Sequence, residues 1–348
     1  MIMNNLYKGM VLLFVCSFTL MSCDKKSEVE EIITPKVVYL AGAEVNSNGN
    51  LVAKYWKDGI PVYLTDGTTD AVAYSMYVSD VDIYVAGYER DKKTGHQVAK
   101  YWKNGVGINL SDAGRDALAS SIFVTDTNVY VAGYDSYGYG VAKYWKNGVS
   151  HNLTEGRTSA SAEAIFVANN NVYIVGTENV DNNNLFRMNY NVGKLWINDV
   201  PTSLTDGNGI SKINSVFVNG SDVYIAGSVQ DSVSKIYNSK YWKNGIALTL
   251  SESSNASDAN SIFVSGSDVY VAGKEYIGGI NIAKYWKNGV SVNLSDGTKN
   301  AYAGSVFVVG NNVYVAGSDN GIAKYWVNGS PVNLKDGRIS SINSIFVK

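Results

Sequence analysis

The side chains of this 348-residue chain that could do covalent, metal or proton-transfer chemistry are few: two histidines, two cysteines and dispersed carboxylates. His96 falls in a loop and His151 beside a hairpin, without a His-x-x-His or similar spacing, so a transition-metal site and a histidine-based triad both lack parts. The run Asp181-Asn-Asn-Asn184 lacks the glycine and the distal glutamate of an EF-hand loop. Tyr137-Gly-Tyr-Gly140 passes from one strand to another instead of opening a helix, which excludes a phosphate loop. No catalytic residue, metal or cofactor is therefore assigned. Glu163, Asp116 and Asp258 fall at the same end of their strands and would suit the paired carboxylates of glycoside hydrolysis, although their spacing along the chain does not fix their separation.

Recognition chemistry is better represented. Tyr88, Tyr134, Tyr137, Tyr139, Phe186, Tyr190, Tyr237 and Tyr276 fall in segments of irregular length, together with Arg90, Arg187 and Met188. Exposed aromatics among amides suit stacking on sugars or a peptide hot spot. A second set is a single variable position in an otherwise repetitive strand: Tyr74, Ser120, Glu163, Asn214, Asn260, Gly304 and Asn343. Such a ring is the expected ligand contact at the mouth of a central channel.

The elements that must carry these residues come from a repeat of about 45 residues. A tyrosine in a Val-Tyr-Val-Ala-Gly-like run recurs at Tyr39, Tyr84, Tyr130, Tyr173, Tyr224, Tyr270 and Tyr314, and all seven tryptophans fall in Lys-Tyr-Trp or Lys-Leu-Trp. Each unit has four short runs rich in Val, Ile, Tyr, Phe and Trp, which read as strands, and no helical period follows the leader. The third and fourth runs are joined by Asn-Gly or Asp-Gly, the signal for a two-residue hairpin; one unit has Asn198-Asp199 instead. Four antiparallel strands per unit make a propeller blade.

The ends favour a closed ring over an open solenoid, which needs polar caps. The folded part begins with a second strand at Val37 and stops on a first strand, Ser344-Ile-Phe-Val347. The expectation is an all-β, seven-bladed propeller over residues 37–348, closed by the C-terminal strand as the innermost strand of blade one. Its second-to-third-strand loops and blade-to-blade links open on one face, where length varies most and binding is expected. Features present in every blade are read as packing: the tryptophans as wedges between blades, and the lysine two residues before each of them lying along the indole, with Lys284 opposite Asn293. The Asp-Gly sites at Asp66, Asp206, Asp296 and Asp336 read as turns.

Net charge is −2, with no basic stripe, which argues against nucleic acid as a partner; a monomer is expected. The first residues stand apart: Lys8 and then an apolar run from Met10 to Leu20, too short to span a membrane as a stable helix, as in a signal peptide. Leu20-Met21-Ser22-Cys23 resembles the lipobox of bacterial lipoproteins, which implies cleavage before Cys23 and acylation of its thiol. Residues 1–22 would then be the signal peptide and 23–36 a lipidated cysteine with a charged, flexible tether. No other cysteine would remain to form a disulfide. The repeats are similar to those of seven-bladed NHL and kelch-type propellers in strand order and length, and to bacterial secreted proteins with tandem Lys-Tyr-Trp-Lys-Asn-Gly repeats. That resemblance implies a fold and a place in the cell envelope but no activity. The functional expectation is an envelope-anchored binding scaffold for a glycan, peptide or protein. The alternatives are a carbohydrate-active hydrolase or lyase, or a purely structural envelope protein.

Overall fold

The turns between third and fourth strands set the register of every blade. Their two central residues need positive φ, and Asn104 and Gly105 take 52° and 84°, Asn288 and Gly289 51° and 83°. Asn198 and Asp199 reach the same geometry at 48° and 70°, because short polar side chains tolerate that region. The turn asparagine also ties in the second strand. Oδ1 of Asn104 accepts from the Ile83 amide at 2.9 Å, while its Nδ2 donates to Asp82 at 2.7 Å. Asn288 repeats this with Val269 and Asp268.

The computed structural model describes residues 36–179, 190–251, 254–334 and 340–348. Cys23, Phe186 and Asp336 lie outside them. Seven four-stranded antiparallel sheets follow one another, and in blades two to seven the strands run from inner to outer in chain order. Blade one is composite: Ser340–Val347 pairs with Val38–Val45, which pairs with Leu51–Lys57 and then Ile60–Tyr63. Val37 and Lys348 exchange backbone hydrogen bonds of 2.8 and 3.0 Å. The ring is closed as the two half-blades require, and residues 36–348 form a compact unit by themselves.

Each blade interface has its own apolar cluster. Trp102 of blade two packs on Tyr39, Ala41, Ala53, Tyr55 and Leu64 of blade one, and the pattern repeats around the ring to Trp56, which packs on blade seven. All seven tryptophans are at most 2% exposed. The preceding lysines follow the indoles inward. Lys284 lies opposite Asn293, with its ammonium 5.9 Å from the Trp286 ring centroid and paired with Glu275. Lys54–Glu44, Lys100–Glu89, Lys143–Asp135, Lys194–Glu178 and Lys324–Asp319 are the equivalent pairs. In blade five Val229 stands where the acid would be.

Inner strands are stitched to one another by serine. Ser75 Oγ accepts from the Ile122 amide, Ser121 from Ile165, Ser215 from Ile262, Ser261 from Val306, Ser305 from Ile345 and Ser344 from Met76, all at 3.1–3.3 Å. Blade four has Ala164 at this place, so the stitch to Val216 is missing. Ala164→Ser should raise unfolding stability by about 0.5–1 kcal/mol, the net worth of one such bond, measured by urea denaturation. An unchanged midpoint would show that the serine bonds contribute nothing to closure.

Two residues after this position, an aromatic ring faces the axis in every blade. Tyr77, Phe123, Phe166, Phe217, Phe263, Phe307 and Phe346 form a closed circle with neighbouring centroids 4.7–5.5 Å apart and planes tilted 45–57°. Tilted contacts of this kind add about 0.5–1.5 kcal/mol each beyond burial. The circle divides the channel into two mouths.

Candidate ligand cavity at the channel mouth

The variable residue of each inner strand owes its freedom to a β-bulge. Ala73 pairs with Gly87 and Ser75 with Ala86, so Tyr74 is left out of the ladder. The same break occurs at Ser120, Glu163, Asn214, Asn260, Gly304 and Asn343. A bulge needs glycine opposite it here, because a Cβ on Gly87 would run into the carbonyl oxygen of Val72. Gly42, Gly133, Gly176, Gly227, Gly273 and Gly317 face the equivalent carbonyl. The glycine of the Val-Tyr-Val-Ala-Gly run thus permits the bulge, and the bulge re-aims one side chain per blade.

Around these residues lies a cavity of about 570 Å³, lined by Tyr74, Leu118, Ser120, Tyr134, Glu163, Asp258, Asn260, Lys274, Tyr302, Gly304 and Asn343. Tyr77 and Phe346 of the aromatic circle line a separate depression on the opposite face, so the circle is the partition between the two mouths. Of the ring expected at the channel mouth, Asn214 alone is not on the wall. Its amide nitrogen donates to Ala259 O of the next blade at 2.8 Å. Asn260 and Asn343 reach the wall but bind the next blade as well, through Ala303 O and Ala73 O. Tyr74, Ser120 and Glu163 are the variable side chains for which no such bond to the neighbouring blade is found among the described residues, and Gly304 has no side chain to make one.

Three wall residues, Leu118, Asp258 and Tyr302, sit two places before the bulge, on the same side of the strand. The signal for them was present, since this position also varies between blades: Val72, Leu118, Ser161, Lys212, Asp258, Tyr302 and Ser341.

The aromatics expected on exposed loops divide. Second strands run past their glycine, so Tyr88 belongs to Ile83–Arg90 and Tyr134 to Val129–Tyr137. Tyr88 is only 6% exposed; it packs on Ala43 and Val72, with its ring 6.1 Å from that of Tyr74, and is a support rather than an exposed loop residue. Tyr134 faces the cavity and also walls a neighbouring groove of about 320 Å³ with Ser136, Gly140, Ser159, Ser161, Thr177 and Asn179. Tyr137 ends that strand; Tyr139 and Tyr276 are 56% and 48% exposed and lie off the cavity wall. Tyr190 accepts a 3.2 Å hydrogen bond from Lys235, and Lys212 sits 4.2 Å over the Tyr237 ring. These two tyrosines are engaged by lysines away from the wall.

The carboxylates are also unequal. Asp116 accepts from the Gln97 amide at 2.7 Å and lies 3.4 Å from His96 Nδ1. Asp258 is bracketed by Lys212 and Lys274 at 3.1 and 3.6 Å. Glu163 has no cation partner among the described residues, and desolvation drives its pKa up, opposed in smaller measure by the Ser161 hydroxyl. Burial, with Tyr88, Tyr134 and Glu163 nearby, pushes Tyr74 up to about 12. Burial also raises Tyr134, reinforced by Glu163 and Asp116. His151 stacks on Tyr144 at 4.8 Å, and no three of His, Cys, Asp and Glu converge on a metal position among the described residues.

An uncompensated carboxyl costs stability once it must ionise. A folded pKa above the unfolded one leaves no penalty below the unfolded value and a growing one as pH rises through the folded value. Glu163→Gln should therefore raise stability at pH 7.5 by about 1 kcal/mol and leave it unchanged near pH 4. Thermal melts at the two pH values check this, and a variant less stable at pH 7.5 would contradict it.

No family model matches the chain, and no curated protein matches its sequence. Solved structures do match its shape. The β-propeller domain of the Trilobed protease from Pyrococcus furiosus, described as having an open velcro topology, aligns with a TM-score of 0.56 at 8% identity, over 86% of this chain and 92% of that one. A thermostable family-43 glycoside hydrolase aligns at 0.39 and 13% identity, over 64% of this chain and 92% of that one. The former likeness concerns the fold alone.

Proposed function

We propose that the chain is a lipid-anchored protein of the bacterial envelope whose propeller is a recognition module, taking into the channel-mouth cavity part of a glycan, peptide or protein. The observation that carries this reading is the cavity itself. It is walled by Tyr74, Tyr134 and Tyr302 and includes, from six of the seven blades, the position that the bulge frees from the repeat. Variation concentrated on a rigid frame is how a repeat fold acquires a ligand. Val37 enters beside the Asp58 hairpin, whose carboxylate accepts from the Val38 amide, on the face away from the cavity.

Hydrolysis finds less support, because it needs two available carboxylates. Of Glu163, Asp116 and Asp258, only Glu163 is without a lysine or histidine partner. The test is a glycan array and an envelope-extract screen with residues 36–348, run beside Tyr134→Ala. A specific hit weakened at least tenfold by the substitution supports the cavity as the recognition site. A hit unaffected by Tyr134→Ala, Tyr74→Ala and Glu163→Gln contradicts it, and a blank from the folded domain favours a purely structural protein.

A further inference from the structure

Blades two to four place an unusual set of groups around one corner of the cavity. Glu163 projects from the bulge of blade four onto the cavity wall, with no cation partner among the described residues. Ser120, at the bulge of the adjacent blade three, has a buried Oγ with no hydrogen-bond partner. Tyr74 and Tyr134 flank them on the same wall, and Tyr88 packs behind Tyr74. Elsewhere on the wall are Tyr302 and Asp258, the latter held by Lys212 and Lys274, so those two cations already have an anion of their own. A carboxylate, an unsatisfied hydroxyl acceptor and two electron-rich rings together match one kind of visitor. A protonated amine offers three N–H donors and a positive charge, which a carboxylate binds strongly in a desolvated setting and aromatic faces attract. A neutral hydroxyl ligand could occupy the space but would leave the carboxylate charge uncompensated.

We propose that the cavity selects a ligand bearing a protonated primary amine, seated on Glu163 between Tyr74 and Tyr134 with Ser120 as a further acceptor. This rests on the reading of the cavity as the recognition site. The amine can come from an amino sugar or from a lysine side chain, and the two sources are separated by paired probes that differ in the amine. Residues 36–348 are titrated calorimetrically at pH 7.0 with glucosamine against glucose, and with Nα-acetyl-lysine methylamide against Nα-acetyl-norleucine methylamide.

In at least one pair the amine should bind tenfold or more tightly than its neutral partner, and the pair that responds identifies the source. Glu163→Gln should bring the amine to the affinity of the neutral probe, whereas Tyr134→Phe should retain most of the preference. Saturating amine should also lower the Glu163 titration midpoint by one unit or more, the shift linked to tenfold discrimination; carbon NMR of the labelled carboxyl reads it. No preference in either pair, including no binding by any probe, overturns the amine assignment. If the neutral probes still bind and Tyr134→Ala weakens them, the cavity stands as a recognition site while its chemistry is reassigned.

Discussion

A chain ending at residue 339 should fail to form the closed propeller. Removing 340–348 takes the inner strand from blade one and with it the pairing of Val38 with Val347 through Glu44 with Ser340. It also removes the Ser344–Met76 and Ser305–Ile345 stitches, the Asn343 bond to Ala73 and the Phe346 member of the aromatic circle. What remains is a composite blade with an unpaired inner edge, a template for association. Circular dichroism melts and size-exclusion chromatography should show loss of the cooperative transition or oligomers. Adding peptide 340–348 in excess should restore the size and cooperative melt of the full domain by mass action. A truncated monomer that melts within a few degrees of the full domain would mean that the ring does not depend on this strand.

Replacing an interface tryptophan should cost nearly as much. Trp56 is fully buried and belongs to the cluster joining blade seven to blade one, where Tyr314, Ala316, Ala323 and Leu334 meet it. Trp56→Ala would open a cavity at the seam that the C-terminal strand closes, at an expected cost of about 3–5 kcal/mol. Val290→Ala is a suitable control, since Val290 is 70% exposed on an outer strand and should change stability by less than about 0.5 kcal/mol. Urea denaturation separates the two; a loss below about 1 kcal/mol at Trp56 would show that the wedges are not the main interface contact.

Much of the frame was legible in the sequence because repetition exposes it. The tyrosine and tryptophan spacings gave the blades, Asn-Gly gave the hairpins, and the unmatched strands at the two ends gave the closure. The cavity was legible in part. The variable ring could be named from one column of the repeat, but its mechanical basis, the bulge opposite each glycine, is a matter of register. Asn214, Asn260 and Asn343 spend their amide nitrogens on carbonyls 43–45 residues away, or across the closure for Asn343, which one repeat cannot reveal. Tyr88 and Tyr134 read as loop residues because their segments vary, yet the strands extend through them. The aromatic circle does not stand out in the sequence because a recurrent phenylalanine or tyrosine in a strand resembles ordinary core. That Glu163 lacks a cation while Asp258 has two depends on the distribution of charge around the ring.

These features fit one account: seven near-identical blades provide a stiff, closed frame, and the bulges turn one residue of each toward a mouth where sequence can vary without loss of fold. The measurement that tests it most directly is residue-level NMR of residues 36–348 with the first specific ligand found on the array or in the envelope screen. The account predicts shift changes centred on Tyr74, Ser120, Tyr134, Glu163 and Tyr302. Changes centred instead on Tyr77, Asp80, Asp126 and Lys348, around the opposite mouth, would contradict it.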